Sequence, residues 1–350
     1  MLDRILTRKR LLELVDQLAL SRKIIGPVRR KDRYFYDRVD RAGELDLDFN
    51  YCIYSPKAFL FPAYEPLFSF QRVNRSFKTT AIYEDTPQAI VGVHPCDVNA
   101  IRLLDHVFAN QHRDEHYLTR RRNALIIGID CPKPCTEGVF CQDMKANEAT
   151  AGADLMCYPL SGDESTDDGR YAVVFGTEQG RELVLYAQAG ESPTVHDERA
   201  FDTYKAQKQG EFPQMIPHDV DSLPDLLNRS YDSLLWEATA RRCYSCGSCN
   251  LSCPTCYCFN TYDELDMSLK AGERRREWDG CQLTNFALVA GGHNFRPKAS
   301  SRLRHRIYRK AKWIREREGI PGCVGCARCD RACTAKINSV EIYNQLAEEE

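Results

Sequence analysis

The sequence predicts an α/β N-terminal domain with a partly parallel sheet, followed by a mostly helical, cysteine-rich domain. Three observations predict it. QAIVGV (88–93) and ALIIGID (124–130) are continuous apolar runs separated by helical spacing, the span of a βαβ unit. Beyond residue 230 almost nothing reads as strand, whereas SYDSLLWEATARR and SSRLRHRIYRKAKWIRERE read as helix. The 17 cysteines are unevenly spread, six before residue 200 and eleven after 240. The expected division is an α/β domain over 1–205, a linker with Pro213, Pro217 and Pro224 over 206–230, and a second domain over 231–350.

A chain of 350 residues has room for about two cores. A formal net charge of −2 disfavours nucleic acid or an anionic membrane as partner. No apolar run approaches the ~18 residues of a spanning helix. The opening MLDRILTRKRLLELVDQLAL reads as an amphipathic helix and not as a signal peptide, so a cytoplasmic protein is expected.

Element by element, YFYDRV (34–39) and NYCIY (50–54) read as short strands, and the prolines of SPKAFLFPAYEPLFSF argue against helix there. After QAIVGV, Val98, Ile101, Leu104 and Phe108 recur at helical spacing behind Asp97, a natural N-cap. YAVVFGT (171–177) and ELVLYA (182–187) read as a hairpin. In the second domain Leu303, Ile307, Ala311 and Ile314 form one apolar stripe.

Such a cysteine count, without a secretory signal, points to metal binding before disulfides. Cys243, Cys246, Cys249 and Cys253 follow C-x2-C-x2-C-x3-C with Pro254 next; Cys323, Cys326, Cys329 and Cys333 repeat the spacing with Thr334 in place of proline. This is the pattern of a module with two 4Fe-4S clusters, in which each fourth cysteine ligates the other cluster. The expected sets are Cys243, Cys246, Cys249 and Cys333 for cluster 1, and Cys323, Cys326, Cys329 and Cys253 for cluster 2. Four thiolates also suit structural zinc, but the repeated triplets favour cubanes. Gly247, Ser248, Gly325 and Ala327 are small, which lets backbone N–H groups approach sulfur. The seventy or so residues between the motifs exceed a compact βαββαβ ferredoxin, so the expected second domain is an α-helical ferredoxin domain.

The C-terminal half, from RRCYSCGSCNLSCPTCYCF through RRREWDGCQLTNFALVAGGHNFR to GCVGCARCDRAC, resembles the iron-sulfur β subunit of soluble NiFe hydrogenases and sulfhydrogenases. It is nearly as similar to the iron-sulfur electron-relay subunit of anaerobic sulfite reductase. Weaker matches in SPKAFLFPAYEPLFSF and VGVHPCDVNAIRLLDHVF extend the likeness over most of the chain. The resemblance implies an electron relay between a flavoprotein handling NAD(P)H and a catalytic subunit, either a NiFe hydrogenase or a sirohaem sulfite reductase. No catalytic residue is then required of this chain. A zinc structural protein and a nucleic-acid binder are the alternatives from other classes.

Cys96 and Cys131 follow the two apolar runs, which places both at the carboxyl edge of a sheet if the strands are parallel. With Cys135 and Cys141 they are candidates for a third 4Fe-4S cluster, against four cysteines packed as small hydrophobes. Cys96 at a helix N-terminus would be favoured as thiolate. His94 is either a ligand, a hydrogen-bond donor to that cluster, or a satisfied structural histidine; Cys52 and Cys157 read as core. Cys256, Cys258, Cys281 and His293 either line the cluster pocket or form a further site. The basic runs GERRREW and RLRHRIYRKAKWIRERE read as a solvated face or as a docking surface for an acidic redox partner. No Walker loop or G-x-G-x-x-G occurs, so any flavin is expected on a partner.

Overall fold

In the computed structural model the described residues are 2–110, 113–160 and 169–349. Eleven strands are present among them: β1 (Arg4–Thr7), β2 (Lys23–Arg30), β3 (Arg33–Val39), β4 (Tyr64–Val73), β5 (Ser76–Ala81), β6 (Gln88–Val93), β7 (Ala124–Ile129), β8 (Leu155–Leu160), β9 (Arg170–Phe175), β10 (Phe259–Leu265) and β11 (Ala271–Trp278). Seven of them form one mixed sheet in the order β1-β9-β8-β7-β6-β2-β3. The central strands β2, β6, β7 and β8 are parallel, and antiparallel strands flank them on both sides.

Every residue of β6 and β7 is buried, which is why these strands read as unbroken apolar runs. Helix Arg8–Ala19, capped by the Thr7 side chain, packs Leu11, Leu14, Val15 and Leu18 on one face of the sheet. Helix Pro95–Ala109 covers the other with Val98, Ile101, Leu104 and Phe108. Its N-cap is His94, with Pro95 at the first helical position. Asp97 lies inside the first turn and not at the cap expected for it.

Other expectations also change. The first residues form an edge strand before the helix begins. NYCIY is not a strand; Cys52 makes only an isolated bridge to Tyr34. The hairpin expected over 171–187 is half right: β9 pairs with β8, but Glu178–Tyr186 is a helix, because the Thr177 hydroxyl caps Gly180 N and stops the strand. Residues 206–230 are packed. Helix Val195–Glu211 runs into this stretch, and Ile216, Val220, Leu223, Leu226 and Leu227 belong to a buried cluster shared with Trp236, Ile307, Tyr308 and Tyr343.

The larger correction concerns the segment between the two cysteine motifs. Its sequence predicts helix, yet it carries the hairpin β10–β11, and β11 pairs antiparallel with β4 from the N-terminal half. The resulting sheet, β10-β11-β4-β5, is stitched by buried charge. Arg276 on β11 bonds Glu65 on β4 and Asp114, while Arg120 bonds the same Glu65. Helical continuity does hold over 299–318, where Ala299–Tyr308, a π-helical turn at Arg309–Trp313 and Ile314–Glu318 follow one another. No helix of the described residues is long and apolar enough to cross a membrane.

Candidate metal centre

The two C-x2-C-x2-C-x3-C segments adopt the same backbone. In each, the residue before the second cysteine is left-handed, Ser245 at φ 54° and Gly325 at φ 62°; so is the residue after it, Gly247 at 76° and Ala327 at 53°. One-turn helices, Ser248–Leu251 and Arg328–Arg331, then carry the third cysteine. The left-handed positions turn amides inward: Ser245 N donates to Cys243 Sγ and Gly325 N to Cys323 Sγ, both at 3.4 Å. Ile337 N donates to Cys333 Sγ at the same distance.

Two cavities follow from this pairing. One is lined by Cys243, Cys246, Cys249 and, from the other segment, Cys333. The second is lined by Cys323, Cys326, Cys329 and, again across the pair, Cys253. Cys329 also reaches the wall of the first. The segments are thus interlocked, with Ser252 Oγ bonding Arg328 O between them.

Surroundings differ. Burial pushes the Cys323 and Cys326 thiols up to about 11 and 12, and the Cys249 thiol to about 11. Cys246 is exposed, and its hydrogen bond with the Ser248 hydroxyl pulls its thiol below the usual range.

The segment 242–337 matches the 4Fe-4S dicluster domain family. Over 339 residues, the chain is 33% identical to sulfhydrogenase 2 subunit beta of Pyrococcus furiosus, with 96% of each chain covered. The chain belongs to the sulfhydrogenase β-subunit family. As such it is an iron-sulfur electron-transfer subunit of a hydrogenase-type complex. For a sulfhydrogenase β subunit, the donor chemistry is appropriate: at least four thiols line each cavity, backbone N–H groups are aimed at sulfur, and the buried Arg306 lines both.

The N-terminal cysteines of this β subunit lie together too. Strands β6 and β7 are parallel, so Cys96 and Cys131 stand at the same sheet edge. Cys131 and Cys135 pack against a buried cluster that holds Cys141 and Ala327. Burial raises all four thiols, and Cys135 is among the further causes for Cys96, Cys131 and Cys141. At Cys96, burial outweighs the helix N-terminus that would favour thiolate. Next to this group, Arg328 donates two hydrogen bonds of 2.7 Å to Asp97 and one of 2.8 Å to Cys52 O. Both side chains are buried, and they join the residue after Cys96 to the residue before Cys329. The pair is invisible in the sequence because its members lie 231 positions apart.

His94 is buried and stacked on Phe49 at 4.2 Å, burial lowers its pKa to about 4, and it stands at the N-cap position of helix Pro95–Ala109 with no side-chain cap hydrogen bond. Cys157 sits in the sheet core as expected. Of the remaining thiols, Asn250 Nδ2 donates to Cys281 Sγ at 3.4 Å and to Cys256 Sγ at 3.7 Å. Cys281 is also among the groups that raise Cys258. His293 stands apart from them, exposed in a turn and edge-on to Phe295.

Each basic run is solvated on one side and buried on the other. Arg274 pairs with Asp263 and Arg275 with Glu264 and Glu273, while Arg276 is buried. On the helix, Arg302, Arg306 and Lys310 are buried as well.

Proposed function

We propose that this chain relays single electrons from a flavin-bearing, NAD(P)H-linked subunit to the catalytic subunit of a hydrogenase or sulfhydrogenase complex, or back. The single observation that supports this most is the crossed pair of four-thiol cavities. In this reading Cys243, Cys246, Cys249 and Cys333 hold one 4Fe-4S cluster, and Cys323, Cys326, Cys329 and Cys253 hold the second. Such clusters, when bound, take up and release one electron each. The chain's own part is to supply thiolates, aim amides at sulfur, and exclude water from the second cavity.

Geometry argues against zinc. The thiols of two repeated triplets, each completed by a cysteine from the other segment, surround two cavities, an arrangement that favours cubanes over a single ion. A third cluster on Cys96, Cys131, Cys135 and Cys141 extends the proposal. Its support is that the four thiols lie together beside Arg328 and the second cavity. In domain terms, residues 1–205 form the α/β unit with that third group and 206–230 lead from it. Residues 231–350 form the two-cluster unit, a helical ferredoxin-type core into which β10–β11 is inserted.

Iron and acid-labile sulfide analysis of anaerobically purified protein tests the count. About eight irons per chain limit the reading to two clusters and about twelve add the third. About sixteen would assign Cys256, Cys258 and Cys281 to a further site. Zinc without sulfide would end the cluster reading altogether. Cys333→Ser is expected to disturb the electron paramagnetic resonance (EPR) signal of the cluster held by Cys243, Cys246 and Cys249; disturbance of the other alone would refute the crossing. Co-purified partners containing flavin and nickel support the hydrogenase assignment, and sirohaem would replace it with sulfite reduction.

A further inference from the structure

Arg302, Arg306 and Lys310 recur every four residues on the helical segment 299–313, so they share one face. A cationic face normally meets water. Here the three residues are 4%, 6% and 5% exposed. Arg302 donates to the carbonyls of Arg296 and Pro297 and to the Ser245 hydroxyl, while its Nε, like that of Arg306, has no hydrogen-bond partner. Lys310 Nζ donates to Thr255 Oγ1 at 2.7 Å, two residues past Cys253, and stands in a π-helical turn, an irregularity often found at functional sites.

Arg306 is the unusual member. Its side chain lines both cysteine cavities, and its Nε has no hydrogen-bond partner. The buried guanidinium thus faces the thiols of both cavities, whereas Lys310 lines the second cavity and not the first. Burying a cation without an anion costs several kcal/mol. A thiolate-ligated 4Fe-4S cluster is a net anion and becomes one charge more negative on reduction, so it is the kind of group such a cation complements.

We propose that Arg306 is the shared counter-charge of the two cysteine cavities and raises the reduction potential of both clusters, while Lys310 acts on the second alone. The proposal rests on the two-cluster reading and adds to it the residues that set the driving force between the clusters. A fixed cation favours the reduced, more negative state, so removing it lowers the midpoint. Because Arg306 faces both cavities, its loss moves the two midpoints together; the loss of Lys310 moves only the second and so changes the gap between them.

EPR-monitored redox titration of the full chain tests this. Arg306→Gln is expected to lower both midpoints, each by roughly a tenfold change in the oxidised-to-reduced ratio, which is about 59 mV for one electron. Lys310→Gln lowers only the midpoint of the cluster that Cys253→Ser perturbs, and Arg306→Lys keeps both close to wild type. Arg304→Gln is the control, since Arg304 stacks on Tyr231 away from the cavities, and leaves both unchanged. Two clusters whose midpoints ignore Arg306→Gln, or shift equally with Arg304→Gln, would overturn the proposal while leaving the cluster reading intact. If Arg306→Gln loses iron, Lys310→Gln decides alone: a shift of both midpoints or of neither overturns it. Zinc without sulfide would remove the underlying reading and this proposal together.

Discussion

The two cysteine loops share a fold but not a setting. Ser245 and Gly247 in the first match Gly325 and Ala327 in the second, both pairs left-handed. Where the first loop has Ser248, bonded to the exposed Cys246, the second has Arg328, locked to Asp97 in the interior. Glycine in the second loop also meets a harder wall. A Cβ on Gly325 would lie 2.4 Å from the Phe140 backbone, whereas a Cβ on Gly247 would meet only the Leu283 methyl at 2.9 Å. The lesson is that loop geometry follows from the spacing of the ligands, while polarity and access are set by whatever packs around it. The first loop, with its exposed Cys246, is the more open of the two; the second packs inside, where Ala327 shares a buried cluster with Cys131, Cys135 and Cys141.

The largest effect is expected where that difference is electrostatic. Asp97→Ala leaves Arg328 buried and unpaired and should cost about 3–5 kcal/mol in unfolding free energy by urea titration. Ser248→Ala, its counterpart in the first loop, should cost within about 1 kcal/mol. Equal losses would mean that the loops are supported alike.

Backbone strain gives a middle-sized contrast. Gly325→Ala combines a left-handed φ with a clash against main chain and should cost about 3 kcal/mol or more, measured as thermal stability together with iron retention. Gly247→Ala should cost about 1–2 kcal/mol, since a leucine methyl can move aside. The reverse order would show that the first loop is the more tightly held.

The smallest effect concerns the outer side of the helix both loops share. His305, packed against Trp313, has its pKa lowered to about 4, first by burial and then by Arg296 and Arg309. The unfolded chain, with its histidine near 6.5, therefore binds the proton first, and stability falls as pH drops from about 6.5 towards 4. Allowing for partial exposure, the loss is roughly 1 kcal/mol. His305→Gln should remove that part of the slope, seen as a smaller melting-temperature drop between pH 6.5 and 4.5.

What was legible in the sequence was what short-range pattern encodes. Strands β6 and β7 read clearly because a parallel strand covered on both faces leaves no polar position. The cysteine triplets read clearly because chelation requires fixed spacing. The hairpin β10–β11 did not, because FNTYDEL and AGERRREW are exposed and charged, and their stability comes from cross-strand pairs such as Arg274 with Asp263 and from pairing with β4. The helix 299–313 is legible, but its cations read as solvated. Arg306 and Lys310 instead face cavities lined by thiols some fifty residues upstream and on a later loop, a relation no local periodicity carries. His293 and Cys281 differ in setting in a way the sequence does not show: the histidine is exposed and the cysteine buried.

Strand β4 has its hairpin partner β5 at once, but its other edge waits for β11, some two hundred residues later. A ribosome adding about 5–20 residues per second leaves that edge open for ten seconds or longer, exposed to pairing with other chains. The cysteine cavities close later still, since Cys253 and Cys333 cross between segments eighty residues apart. Neither cavity has all its thiols until both segments exist, so the cysteine sites are among the last features of the fold to be completed.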